Sequence, residues 1–329
     1  MTTIGHPVAG GLQAGVFGIS RVRMFVLTGL ILAVLAALPF ALTKYQIGLA
    51  TQMLIYGILA MSIDVLAGFA GRTSLAHGAL FGVSAYVVIY TISYLGVPPP
   101  VAFLLGVLAA TLTAAVFALV AARTAGVYFL LLTLALGMIV WGICLRWTDV
   151  TGGENGLRGN LRTGLLRDHA IFYWMVLACA AAASLAMWRF VRSPFGLTLR
   201  GIRDSESRMR SLGYGVYLHL FVGFVVSGLF AGIAGALYAF FNSFVSPSTV
   251  ALTQSVQGLL MAITGGIGTL LGSFIGSAAI ITLENVVSSY TERWQTVLGV
   301  TFILVMILAP EGLLGKLGAL LARLTSKPN

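Results

Sequence analysis

The sequence predicts an all-α polytopic membrane protein of about ten transmembrane or partly spanning helices. Three observations carry this expectation. Hydrophobic residues make up 59% of the 329 and charged residues only 9%, with a mean hydropathy of +1.00, whereas a soluble domain carries about 25% charged residues. Such a chain cannot cover itself with polar surface in water, but in a bilayer its side chains face hydrocarbon. Apolar runs near the length of one span, about 20 residues, recur from residue 24 to residue 310. The 40 glycines suit helices that approach one another closely in lipid.

The runs follow in order. The first, 24–43, comes after Arg21 and Arg23, exceeds a signal-peptide core in length and lacks a clean A-x-A site before Lys44, so it reads as a span. Next come 46–67 and 78–95, then a loop marked by Pro98, Pro99 and Pro100, then 101–121 and 126–146. A polar outer loop occupies about 147–169. The run 170–190 leads into a conspicuously polar loop, about 191–216, and 217–241 follows it. The run 252–286 would be about 52 Å long as one straight helix, too long for a hydrocarbon core of about 30 Å. Its middle holds Gly265, Gly266 and Gly268, so it divides into two shortened helices or a re-entrant pair. The last run is 293–310. The organisation is therefore a cytoplasmic segment 1–23, a membrane domain 24–315 and a cytoplasmic tail 316–329.

Charge supplies the orientation. With ten crossings and the N-terminus inside, thirteen Lys and Arg fall on the cytoplasmic side and six outside, out of 19 in total, so both termini are expected inside. The formal net charge of +10 then reflects topology. No basic patch interleaved with aromatics points to nucleic acid. Cys144 and Cys179 lie in apolar runs and read as small buried hydrophobes.

Several features could carry function. Gly268, Gly272 and Gly276 recur every four residues, a spacing that lines one helix face, and Gly228, Gly232 and Gly235 are similar. Gly78 and Gly82 sit in a stretch that weakly echoes 272–279. Leu197 to Leu212 fits a short amphipathic helix with apolar contacts from Leu199, Ile202, Met209 and Leu212, stopped by Gly213. Asp64, Ser74, His77, Thr133 and Glu284 are polar groups in or beside apolar runs. A charge deep in lipid costs at least about 2.5–3.5 kcal/mol, so each acid either snorkels to the interface or faces a cavity or partner. Thr151, Gly152, Gly153, Glu154 and Asn155 form a glycine-rich outer segment, read as a turn or as a docking surface for an extracytoplasmic partner. No P-loop, dinucleotide fingerprint, nucleophile elbow or cluster with metal-ligand spacing is present, so neither a catalytic residue nor a metal site is expected.

Six segments in order resemble the branched-chain amino acid permease family of ABC importers, in its M-type subunit. Gly68 to Tyr86 is similar to the family's glycine-, histidine- and aromatic-rich motif, and Arg123 to Phe129 with Leu132 to Ala135 to its R-x-x-G-x-Y-F and L-T-L-A. Thr151 to Leu157 fits T-G-G-x-x-G-L, and Ser193 to Tyr214 fits the family's polar loop. Gly265 to Gly272 fits G-G-x-G-T-x-x-G, and Ala309 to Gly315 fits A-P-x-G-L-x-G. The chain departs from the pattern at Ala76, where glycine is usual, at Gly201, at Arg208 and Met209, and at Asp64, where asparagine is frequent.

The resemblance implies a type II-importer-like permease in a bacterial-type inner membrane. It pairs with a second homologous permease, two ATP-binding subunits and an extracytoplasmic solute-binding protein. ATP and Mg belong to the ATPases; this chain binds no cofactor. Arg200, Arg203, Asp204, Glu206, Arg208, Leu212 and Gly213 then form the ATPase-coupling loop. The implied cargo is a branched-chain or other small amino acid, with urea or short amides as alternatives. An ion-coupled secondary transporter using Asp64 or Glu284 is the reading from a different class.

Overall fold

Local chemistry sets the helix borders. In the computed structural model, which describes residues 30, 33–162, 164–291 and scattered positions from 293 to 312, helix α1 (Lys44–Asp64) opens on a capping box between Thr43 and Gln46. It runs into a π turn, Val65–Phe69. Helix α2 (His77–Leu95) ends at Gly96, whose φ of 62° only glycine adopts freely. Pro99 and Pro100 open α3 (Pro99–Ala121), where their missing N–H groups cost nothing. Then come α4 (Gly126–Arg146) and α5 (His169–Arg192), the latter capped by Asp168 through the Ala170 N–H. The polar loop holds α6 (Pro194–Asp204) and α7 (Glu206–Ser211). The remaining helices are α8 (Val216–Asn242), α9 (Leu252–Gly265) and α10 (Gly272–Ser288).

Among the described residues, six helices are long and apolar enough to cross a membrane: α1 with its π turn, α2, α3, α4, α5 and α8. Each contains one of the expected runs. The 252–286 run does divide, at Gly266–Leu271, into α9 and α10. Residues 33–41 are helical; the rest of the run 24–43 and most of 293–310 lie outside the described residues, which hold six spans and the two shortened helices α9 and α10 of the ten expected.

On α3, packing is inverted relative to a water-soluble protein. Ala102, Ala110, Ala114 and Ala118 are fully buried at four- and eight-residue spacing, while Leu104, Leu108, Leu112 and Val116 are 54–65% exposed. Small residues let backbones approach, and lipid tails accept the large ones. The long α8 is the hub, packed on α1, α2 and α3. A Cβ at Gly228 or Gly232 would meet Ala114 or Ala110 of α3, and one at Gly235 would strike the Phe81 carbonyl oxygen of α2.

The loops collect at two ends. At one, the segments around residues 70–76, 124, 192–215 and 266–271 meet. At the other, strands β1 (Leu157–Arg158) and β2 (Phe244–Val245) pair antiparallel. There Arg162 donates to the carbonyls of Phe240 and Phe241 at 2.9 and 2.7 Å, and lies 4.2 Å from the Phe172 ring centroid. Burial pushes this guanidinium below its ordinary value.

Candidate functional site at the broken hairpin and the polar loop

Helices α9 and α10 form a hairpin with almost no side chains between them. A Cβ at Gly276 would collide with the Met261 carbonyl oxygen, and one at Gly272 would lie 2.6 Å from the carbonyl oxygen of Gly265. The glycine ladder is corrected here. Gly268 stands on no helix face but in the turn, with φ of 82°, beside Gly266 at 114° and Leu270 at 50°. Left-handed backbone is easy for glycine and strained for leucine.

Asp64, the last residue of α1, holds that turn. It is fully buried, and its Oδ1 and Oδ2 accept from the N–H groups of Gly268 and Leu270 at 2.6 and 3.0 Å. The acid therefore satisfies backbone donors that the break leaves without helical partners. Gly68, in the adjoining π turn, touches the same place: a Cβ there would lie 2.5 Å from the Gly268 nitrogen. Single π turns of this kind often mark functional positions.

The polar loop reaches this turn from the other side. Arg203 Nη1 donates to the Gly68 carbonyl at 2.6 Å, and its stem lies over Gly71, whose φ is 67°. Arg72 is 7% exposed; it donates to the Thr124 carbonyl at 2.7 Å and pairs with Glu206 at 2.5 Å. Glu206 also receives Arg210, one helical turn on, at 2.6 Å. Arg200 stacks on Phe69, centroid 4.8 Å away. Burial first, then repulsion from Arg203 and Arg192, lowers its guanidinium below the ordinary value.

The single amphipathic helix expected over Leu197–Leu212 is two helices. Ser205 is extended, with φ of −163°, and its hydroxyl accepts from the Arg208 N–H to cap α7. Leu199 and Ile202 are buried, but Leu212 is 66% exposed, which corrects its assignment as an apolar contact. Gly213 ends the segment with φ of 83°. Asp204 faces solvent beside Arg203, and Arg208 is exposed.

The structure brings Ser74, His77 and Thr133 together and keeps Asp64 and Glu284 apart from them. Thr133 Oγ1 accepts from the Leu75 N–H, and Ser74 Oγ from the Ala76 N–H. His77 opens α2, completely buried, with Nε2 2.6 Å from Ser227 Oγ; Ser227 in turn donates to the Ser62 carbonyl of α1. Gly78 and Gly82 face α9 and the Thr249–Val250 turn, and the Gly78 N–H donates to Ser255 Oγ at 2.8 Å. Glu284 is half-buried on α10 and accepts from Gln257 at 2.9 Å.

In the outer segment, Gly152, Gly153 and Gly156 all adopt positive φ. Thr151 is buried, its hydroxyl donating inward to the carbonyls of Cys144 and Trp147, and Gly153 is also buried. Only Glu154 and Asn155 of that set are exposed. Cys144 is buried, Cys179 half-buried, and both are free. Sequence reasoning missed Arg72, Gly68 and Gln257 as partners, because each meets a residue far along the chain.

Six membrane-length helices packed through glycine, with a broken hairpin held by Asp64 and the polar loop bound to Gly68 beside it, define a polytopic membrane subunit. No group of three or more metal-ligating side chains occurs among the described residues. The family model for the branched-chain amino acid transport system permease component matches residues 45–309, and the chain belongs to that family. The high-affinity branched-chain amino acid transport system permease protein LivM of Salmonella typhimurium is 26% identical over 319 residues, spanning 89% of this chain and 75% of the relative. LivM of Escherichia coli is 27% identical over the same shares. The autoinducer 2 import system permease protein LsrC of Klebsiella pneumoniae is 30% identical over 44% of this chain and 43% of its own length. No solved structure matches.

Proposed function

We propose that this chain is the permease half of an ATP-driven importer of branched-chain or other small amino acids, set in a cytoplasmic membrane with both termini inside. The observation that carries the mechanism is the hydrogen bond from Arg203 to Gly68, whose residue lies directly on the glycine turn of the α9–α10 hairpin. In this reading α6 and α7 face the cytoplasm and receive an ATP-binding subunit. Movement of α6 then reaches the hairpin through Arg203, Gly68 and Asp64 without a flexible intermediary. A packed element of this kind switches between discrete arrangements.

The division of labour supports the reading. Relatives are permease components, and this chain's sequence contains no P-loop, so ATP and Mg would be handled by two partner ATPases. A second permease completes the membrane unit. Glu154 and Asn155 offer the exposed polar chemistry for a solute-binding protein at the opposite end. The test is uptake of leucine, isoleucine and valine into proteoliposomes containing the chain with the permease, ATPases and binding protein of its own system. ATP-dependent accumulation is expected. Accumulation that persists without ATP, under an ion gradient, would instead make the chain a secondary carrier.

A further inference from the structure

Resting on that proposed function, the geometry points to a contact site for the carried solute between α1, α2, α8, α9 and α10, built for a zwitterion with an aliphatic side chain. Three kinds of group meet there. Gln254, near the start of α9, is 9% exposed, and its Nε2 has no hydrogen-bond partner among the described residues. Its amide lies within hydrogen-bonding range of the Tyr56 hydroxyl, and Nε2 stays open. A buried donor left open costs about 1–3 kcal/mol, which an arriving acceptor would recover.

Glu284 supplies the opposite chemistry. Its carboxylate sits half-buried on an apolar helix, held only by the neutral amide of Gln257. No Lys, Arg or His forms an ion pair with it among the described residues. Gln254 and Gln257 are three residues apart on α9, hence on neighbouring turns of one side, and Tyr56 lies beside Gln254 and within electrostatic reach of Glu284. An open amide donor and an unpaired carboxylate are the complements of an α-carboxylate and an α-ammonium.

The wall is aromatic. The rings of Phe81 and Tyr238 lie 5.0 Å apart, and Tyr56 stands 6.0 and 6.2 Å from them. Such faces accept an aliphatic side chain and exclude water. Above them a cleft of about 710 Å³ opens at the β1–β2 end, lined in part by Arg158, Asn160 and Asn242. Asn242 donates to the Tyr238 hydroxyl at 2.9 Å, so Tyr238 stands between the cleft and the site. Urea or an uncharged amide would gain from Glu284 only a hydrogen bond of the kind Gln257 already makes, whereas an α-ammonium gains an ion pair as well.

The test uses the complete transporter, purified as an assembled complex and reconstituted with its binding protein. Radiolabelled leucine uptake and binding-protein-stimulated ATP hydrolysis are measured side by side, the second reading assembly and docking. Glu284→Gln and Gln254→Leu should each lower leucine uptake at least tenfold while stimulated hydrolysis persists. Gln254→Glu, which keeps the side-chain size but opposes the carboxylate of the solute, should do the same. Leucine uptake within twofold of the parent in these variants, or uptake and hydrolysis lost in proportion, would overturn the site while leaving the proposed function intact. A parent complex that carries no amino acid would overturn the proposed function itself.

Discussion

Replacing Asp64 by alanine should loosen the hairpin turn by an amount the structure allows one to work out. Two backbone N–H groups, of Gly268 and Leu270, depend on the two carboxylate oxygens. Leu270 is 5% exposed and would be left unsatisfied, at a cost of about 1–3 kcal/mol. Gly268 is half-buried and can recruit water, so its loss is nearer 1 kcal/mol. The total, about 2–4 kcal/mol, corresponds to roughly 30- to 700-fold at 1.4 kcal/mol per decade. Hydrogen–deuterium exchange read on peptides covering residues 266–271 measures it, because amide exchange reports local opening. Asp64→Asn keeps one acceptor oxygen and should fall between the alanine variant and the parent. Exchange in Asp64→Ala within about threefold of the parent would refute the assignment of this acid as the clamp on the turn.

The double variant Arg203→Ala, Asp204→Ala should insert normally, and the transporter assembled with it should hydrolyse ATP with little uptake, since the bond to Gly68 is removed; normal coupled uptake in vesicles would argue against α6 as the coupling element. Gly276→Ala sets a Cβ against the Met261 carbonyl oxygen, where backbone must move, and should destabilise by at least about 1–3 kcal/mol; its yield of monodisperse protein on size-exclusion chromatography should collapse. Gly142→Ala, with nothing within 4 Å of the added Cβ, should leave that yield unchanged or improved. Arg162→Lys keeps the charge but loses the planar fork that reaches two carbonyls and stacks on Phe172. A lower thermal midpoint is expected, with Arg162→Ala lower still.

Much of the fold was legible because hydropathy and glycine placement are local. The borders of α3 are written in Pro99 and Pro100, and the division of 252–286 in Gly265, Gly266 and Gly268. The polar loop was visible by contrast with its apolar surroundings, but its break was not: a lone Ser205 reads equally as a mid-helix residue or a cap until its hydroxyl is seen on the Arg208 N–H. Four-residue spacing put Gly268 on a helix face, whereas Asp64 binding and positive φ put it in a turn. Leu212 fitted an apolar stripe by period and lies exposed, because period states which residues share a face and not what covers that face.

The sequence by itself determined that this chain spans a bilayer many times, carries no visible catalytic set and belongs to a transport-system permease family. Composition and ordered motifs decide those points without any knowledge of contacts. Tertiary structure alone decided what the isolated polar residues do. Asp64 meets Gly268 across 204 positions, Arg72 meets Glu206 across 134 and Arg203 meets Gly68 across 135. An acid among apolar residues carries the same local signal whether it lines a path, snorkels or clamps a turn. Only the backbone brought beside it settles which, and here Asp64 holds a glycine break while Glu284 faces a single amide.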